Sequence, residues 1–178
     1  MTTKIALVGT GPSLEETWKE LKWFGKIMTC SRAHDFLLER HIVPDYHVDI
    51  DPQLRKLPTR FSRSVLYLLG PGVHDAYRSA VPDAQILSRT GVQAGDTAVL
   101  AAYDLGYREI HCFGYDGSGA GEEDFVFDGK TYRVTENLLG SIYCFEQACM
   151  KCPGIKVTVH GDGLLRAYLD RKYGQPRK

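Results

Sequence analysis

Asp49 and Asp51 stand one residue apart at the end of an apolar stretch and immediately before Pro52. In an extended segment the two carboxylates of a D-x-D point to one side, spaced to share a divalent cation such as Mg2+ or Mn2+. The same residues also suit a turn, because an aspartate before a proline initiates one. The run Gly9-Thr10-Gly11-Pro12-Ser13 is a second candidate. Its glycines would let backbone approach a ligand, and the helix that follows would offer unpaired N–H groups to a phosphate or nucleotide. Leu14 replaces the third glycine of G-x-G-x-x-G, and no Gly-Lys-Ser/Thr follows, so neither a dinucleotide fingerprint nor a Walker loop is present. A tight turn without a ligand stays open as the alternative.

Four further residues extend this phosphate-binding set: Ser31, Arg32, Arg89 and Thr90. A guanidinium just beyond a strand clamps phosphate bidentately, although a solvated arginine there needs no ligand. Asp116 and His160 are the candidate catalytic groups. Asp116 would touch ribose or acceptor, and His160 would act as acid or base unless it is a turn residue beside Gly161 and Gly163. His34 and His74 read as surface positions on helices. Tyr115, Tyr132 and Tyr143 could stack on a base, but packing is the simpler role for each.

Positioning these groups requires strands that end where they stand. Short apolar runs recur at Lys4 to Val8, Lys26 to Thr29, Tyr46 to Ile50, Val65 to Leu69, Gln85 to Leu87, Glu109 to Phe113 and Ile155 to Val159. Helical patterns fall between most of them: Ser13 to Phe24, Ala33 to Arg40, Val73 to Ala80, Thr97 to Leu105, Asn137 to Lys151 and Leu164 to Tyr173. Ser13 to Glu16 reads S-x-x-E, a capping box, and Asp96 is placed to cap the helix from Thr97. Alternation of this kind predicts an α/β, Rossmann-like, mostly parallel sheet with helices on both faces. Asp128-Gly129 between Phe125 to Phe127 and Lys130 to Arg133 predicts a β-hairpin insertion at about 122–134, plausible as a flap over the sheet edge or the site. Gly117 to Gly121 reads as mobile, and Gly174 to Lys178 as a fraying tail. In open sheets of this class ligands bind beyond the carboxyl ends of the strands, where Gly9 to Gly11, Ser31, Arg32, Asp49, Asp51, Arg89, Thr90, Asp116 and His160 stand.

The 178 residues suit a single domain, 1–178. Twenty-two lysines and arginines balance 22 aspartates and glutamates, which removes the basic excess expected of a nucleic-acid binder. No apolar run approaches a membrane span and no signal peptide is legible, so a cytoplasmic setting is expected. Five cysteines without a secretion signal argue for reduced thiols, and the lone Cys149-x-x-Cys152 near a helix end reads as packing rather than metal or redox chemistry.

Several stretches resemble the MptE-like family, named after an archaeal 6-hydroxymethylpterin diphosphokinase. They are Gly9 to Leu14, Ser31-Arg32-Ala33, His41 to Asp51, Gly91 to Thr97, Leu105 to Ile110 and Phe113 to Asp116. The opening Gly-Thr-Gly-Pro-Ser-Leu is also similar to that of bacterial sialyltransferases. Ser31 stands where the family commonly has asparagine, His41 where it has glycine, and Asp96 where it has asparagine. The resemblance implies a nucleotide-handling Rossmann-like fold and a small transferase with an activated nucleotide donor and an unknown acceptor. Glycosyl transfer from a nucleotide sugar is the leading expectation, with Asp49 and Asp51 on a metal. Magnesium-dependent diphosphoryl transfer from ATP to a pterin-like alcohol, and a non-catalytic nucleotide-binding module, are the alternatives.

Overall fold

The computed structural model describes residues 4–119 and 121–174. Its central strand shows why the sheet forms. In β1 (Lys4–Val8), Ile5 and Leu7 pack into one apolar layer with Met28, Val99 and Ile110. Ala6 and Val8 pack into another with Leu21, Leu37 and Phe113. A strand with both faces dry must be an uninterrupted apolar run, and it gains the burial of successive side chains in opposite directions. Each fully buried Leu or Ile contributes about 2 kcal/mol to that layer.

Six more strands join it, all parallel: β2 (Ile27–Cys30), β3 (Tyr46–Asp49), β4 (Leu66–Leu69), β5 (Gln85–Ile86), β6 (Glu109–Phe113) and β9 (Lys156–Val159). Between the last two in sequence, β7 (Glu123–Phe127) and β8 (Lys130–Val134) form a separate antiparallel hairpin, with Asp128 (φ 51°) and Gly129 (φ 77°) making its turn. The order across the large sheet is β5-β4-β3-β2-β1-β6-β9. Strand order therefore reverses between β1 and β6, the place where a crevice opens in sheets of this kind.

The helices are α1 (Leu14–Thr17), α2 (Ala33–Glu39), α3 (Asp75–Ala80), α4 (Ala94–Asp104), α5 (Glu136–Met150) and α6 (Leu164–Tyr173). The long helix expected from Ser13 is a single α turn that tightens into a 3₁₀ stretch over Trp18–Trp23. Its capping box does not form, because Ser13 is itself αR and its side chain makes no cap. α4 begins earlier than expected, with Gln93 as the cap and Asp96 inside the first turn reaching back to the Gln93 N–H. Two residues of the glycine-rich segment after β6 make hydrogen bonds to distant parts of the chain. Gly119 donates to the Arg133 carbonyl (2.7 Å), and the buried Ser118 hydroxyl accepts the Leu164 N–H (3.1 Å). Ala120 within it, and the tail beyond Gly174, lie outside the described residues.

His34 corrects its expected surface position. It is fully buried on α2, with Nδ1 3.2 Å from the Thr29 hydroxyl and Nε2 3.1 Å from the Tyr67 hydroxyl, and burial pushes its imidazole down to about 3. All five cysteines are free, and burial pushes the Cys149 thiol up to about 12. No helix among the described residues is long and apolar enough to cross a membrane.

Candidate functional site

The loops after β1 and β6 are joined to each other by backbone. Gly9 N–H donates to the Phe113 carbonyl (2.8 Å), Gly11 N–H to the Gly114 carbonyl (2.7 Å) and Ser13 N–H to Asp116 Oδ2 (2.8 Å). A Cβ at Gly9 would stand 2.8 Å from the Gly114 oxygen, and one at Gly11 would run into the Asp116 carboxylate. The absent side chains thus make room for the neighbouring loop. The N–H groups expected to cradle phosphate are spent on that contact, and the four-residue α1 presents no extended N-terminal site.

Asp116 is the centre of this junction. It is 3% exposed, its Oδ2 holds Ser13, and its Oδ1 is buried without a hydrogen-bond partner. Burial raises its carboxyl pKa from the ordinary aspartate value, against the opposing pull of Ser13. The loop after β9 closes on the same residue: a Cβ at Gly163 would collide with the Asp116 backbone, and Leu165 N–H donates to the Asp116 carbonyl (2.9 Å).

Beside the junction lies a cavity of about 660 Å³. Gly9, Thr10, Gly11, Ser31, Asp51 and Asp116 line it, so six of the expected site residues are brought together. The facing wall is formed by Gln93 to Asp96 at the start of α4 and by Asn137, Leu138 and Ser141 at the start of α5. Ala94 and Gly95 line this wall, and as the first two residues of α4 their N–H groups have no intrahelical acceptor. Asp96 is also buried there, but its carboxylate is occupied by the N–H groups of Val92 (2.8 Å), Gln93 (2.7 Å) and Thr97 (3.0 Å). Tyr115 and Phe145 supply an aromatic side, their ring centroids 5.7 Å apart and edge to face. Lys56 brings a cation to the rim, 3.7 Å from Asp51 Oδ2.

The paired aspartates are held in different ways. Asp49 is fully buried, and its Oδ1 accepts the N–H groups of Ile50 (2.8 Å) and Asp51 (3.0 Å), while Oδ2 lies 3.7 Å from His47 Nε2. Asp51 instead accepts the Gln53 N–H (2.8 Å) and pairs with Lys56. The strand ends at Asp49, so the alternation that would align the two side chains stops with it. Asp51 lines the cavity whereas the fully buried Asp49 does not, and no group of three or more His, Cys, Asp or Glu among the described residues is arranged to hold a metal ion. Asp49 acts in the turn, where it shapes the segment that carries Asp51 and Lys56.

Four other expected residues stand away from the cavity lining. Arg32 is exposed at the start of α2, and Thr90 is exposed. Arg89 forms a two-nitrogen pair with Asp104 (2.7 and 2.9 Å) at the far end of α4. His160 stacks on Phe113 (centroids 4.1 Å apart) and faces His111 Nδ1 (3.0 Å) and Glu20 Oε2 (3.2 Å). Burial lowers its imidazole pKa, and Glu20 opposes that. No described hairpin residue lines the cavity, and the hairpin contacts α6 through Asp128 with Arg171 and Phe127 with Tyr168. The lining also includes Lys56, Gln93, Gly95, Asn137 and Ser141, none of which is a site candidate from the sequence. Of these, Gln93 and Gly95 lie within Gly91 to Thr97, a stretch that carries the family resemblance.

Ser31 and His41 both adopt left-handed backbone, φ 50° and 59°. Asparagine and glycine tolerate that conformation better than serine and histidine.

Residues 2–120 match the model of a family described as 6-hydroxymethylpterin diphosphokinase MptE-like. No curated protein sequence matches the chain. Among solved structures, the chain is similar to the MAf glycosyltransferase from Magnetospirillum magneticum AMB-1, at 20% identity and a TM-score of 0.69. That likeness shows a shared fold. It covers 92% of this chain but 32% of the other, so this chain spans about a third of that protein's length. More distant are a thiamin pyrophosphokinase from Geobacillus thermodenitrificans (18% identity, 88% of this chain and 59% of that one, TM-score 0.47) and a mammalian sialyltransferase in complex with Gal-beta-1-3GalNAc-ortho-nitrophenol (11%, 88% and 69%, 0.48).

Proposed function

The chain belongs to the MptE-like family, and from that premise we propose that it is a transferase using an activated nucleotide donor, with glycosyl transfer from a nucleotide sugar as its reaction. The observation that carries this reading is the cavity at the β1/β6 reversal. It combines an aromatic side, two helix starts and one rim lysine in a volume of about 660 Å³. Tyr115 and Phe145, both buried, give a base an apolar floor, while the Ala94 and Gly95 N–H groups and Lys56 are suited to donor phosphates. Asn137 and Ser141 offer hydrogen bonds to ribose or sugar.

In this reaction the donor's anomeric C–O bond breaks and its electron pair leaves with the nucleotide phosphate. The acceptor oxygen bonds to the anomeric carbon and gives up its proton. Asp116 is the group we assign to that proton, because it lines the cavity, keeps an oxygen without a protein partner and has its proton affinity raised by burial. Lys56 offsets charge that builds on the leaving phosphate. Asp51 lines the cavity and the buried Asp49 does not, and no step is routed through a shared metal.

The test is a thermal-shift panel of CMP, UDP, GDP, ATP and CMP- or UDP-sugars, each in magnesium and in EDTA. A ligand at 100 times its dissociation constant adds about 2.7 kcal/mol to stability. CMP or UDP compounds are expected to stabilise the protein in EDTA as well as in magnesium, and Lys56→Ala is expected to weaken the sugar nucleotides roughly tenfold, as loss of a charge-assisted contact does. Stabilisation by ATP alone, and only with magnesium, would replace this reading with diphosphoryl transfer. Tight binding without donor consumption would make the protein a nucleotide-binding module.

A further inference from the structure

A second cavity, of about 500 Å³, lies between the β7–β8 hairpin and α6. Its charged lining is balanced: Lys130, Arg166 and Arg171 face Asp128, Asp162 and Asp170. The charges are already paired with one another. Arg166 lies between Asp162 (3.8 Å) and Asp170 (3.7 Å), and Arg171 donates to Asp128 (2.7 Å). Lys130 donates to the Asp162 carbonyl (3.3 Å) and sits 5.3 Å from the centre of the Tyr132 ring. Phe127 and Tyr132 add two aromatic rings to the same lining.

A lining of this kind selects neither an anion nor a cation, because each charge has its counter-charge at hand. It presents guanidinium N–H donors and carboxylate acceptors side by side, a few ångströms apart. A pair of adjacent hydroxyls, each both donor and acceptor, complements that spacing. The C–H face of a sugar ring complements an aromatic side chain.

The groove is also next to the central cavity. Gly163 belongs to its lining, and the Gly163 backbone presses on Asp116, which lines the other side. Hairpin and helix therefore hold the groove against the residue assigned to the acceptor's proton.

We propose that the groove between the hairpin and α6 binds a neutral saccharide, the acceptor of the transfer. The acceptor role rests on the donor reading above; the saccharide binding rests on the groove alone. The decisive measurement is a backbone amide shift titration of the whole chain. The probes are methyl β-D-galactoside, methyl α-D-mannoside, N-acetylglucosamine and lactose, with inorganic phosphate as the anion control and CMP and UDP in a parallel arm. At least one sugar should saturably shift the Lys130, Asp162 and Arg166 amides. Lys130→Ala, on the exposed hairpin, and Asp170→Ala should each weaken it roughly tenfold, as loss of a charge-assisted hydrogen bond does. Each variant should leave the amide spectrum of the rest of the fold unchanged.

Silence of those amides toward every sugar overturns the proposal, as does a shift by phosphate alone, which would make the groove an anion site. Sugar binding without any nucleotide shift at Gly95 or Ser118 overturns the acceptor role and the donor reading together. Nucleotide binding without sugar binding removes the groove and leaves the donor reading standing.

Discussion

The turn after β1 and the turn into α4 both carry glycines and both border the central cavity, yet they use their backbone in different ways. In the first, Gly9, Gly11 and Ser13 give their N–H groups to the β6 loop, and the missing Cβ atoms admit Gly114 and Asp116. In the second, Asp96 takes the N–H groups of Val92, Gln93 and Thr97, while Ala94 and Gly95 face the cavity. A glycine at a strand end signals that something comes close. Whether that is a ligand or another piece of the same chain depends on which loop lies beside it.

The largest expected effect separates the two glycines. Gly11→Ala drives a methyl into Asp116 and to within 2.7 Å of the Gly114 oxygen, both held by backbone. It should cost about 3 kcal/mol of stability, the upper part of the range for overpacking. Gly95→Ala meets only the edge of Tyr115 at 3.2 Å and gains helix propensity of about 1 kcal/mol. It should remain as stable as the parent within about 1 kcal/mol while losing nucleotide affinity. Urea unfolding and the ligand panel, run on both, read the contrast. If Gly11→Ala is stable and binding-defective, the cradle belongs to the first turn after all.

Asp116 offers a sharper test through pH. Its folded pKa is raised, so the folded state holds the proton more tightly than the unfolded chain. Its contribution is then fully present below the unfolded value of about 3.9 and is lost as pH rises through the raised folded value. Asp116→Asn keeps an acceptor for Ser13 and removes the buried charge. Across that window it should flatten the pH dependence of stability, and above it the variant should equal or exceed the parent. A variant that unfolds at every pH would mean that the carboxylate's charge itself holds the junction.

The smallest effect belongs to a residue outside both turns. Arg89 and Asp104 are each more than one-third exposed, so their pair is screened by water. Arg89→Gln should change stability by only about 0.5 kcal/mol and leave nucleotide binding unchanged. A selective loss of affinity would bring Arg89 back to the phosphate.

Much of the sheet was legible because both faces of a parallel strand are dry. Lys4–Val8 and Glu109–Phe113 fall where the apolar runs predict them. The hairpin was equally plain, since Asp-Gly supplies the two positive φ angles that its turn requires. The long-range polar contacts were not. Ser13 satisfies every local rule for a cap, yet its N–H is taken by Asp116, 103 residues away. His34 has polar neighbours in sequence and looks like a surface residue. It is buried because Thr29 and Tyr67, on two different strands, meet its two ring nitrogens. Asp49 and Asp51 fit the cation pattern only while the chain stays extended, but the strand ends at Asp49 and the two carboxylates take different partners.

Local periodicity and turn chemistry thus determined which segments became strands, where the chain reversed into a hairpin and which polar residues lay at the strand ends. Only the tertiary structure decided which strand ends became neighbours. That choice put the β1 and β6 loops together, gave Asp116 to Ser13 and left the starts of α4 and α5 facing the cavity. The physical reason is range. Propensity, capping and alternation act over a few residues of chain, whereas a carboxylate's partner is set by the order of strands in the sheet.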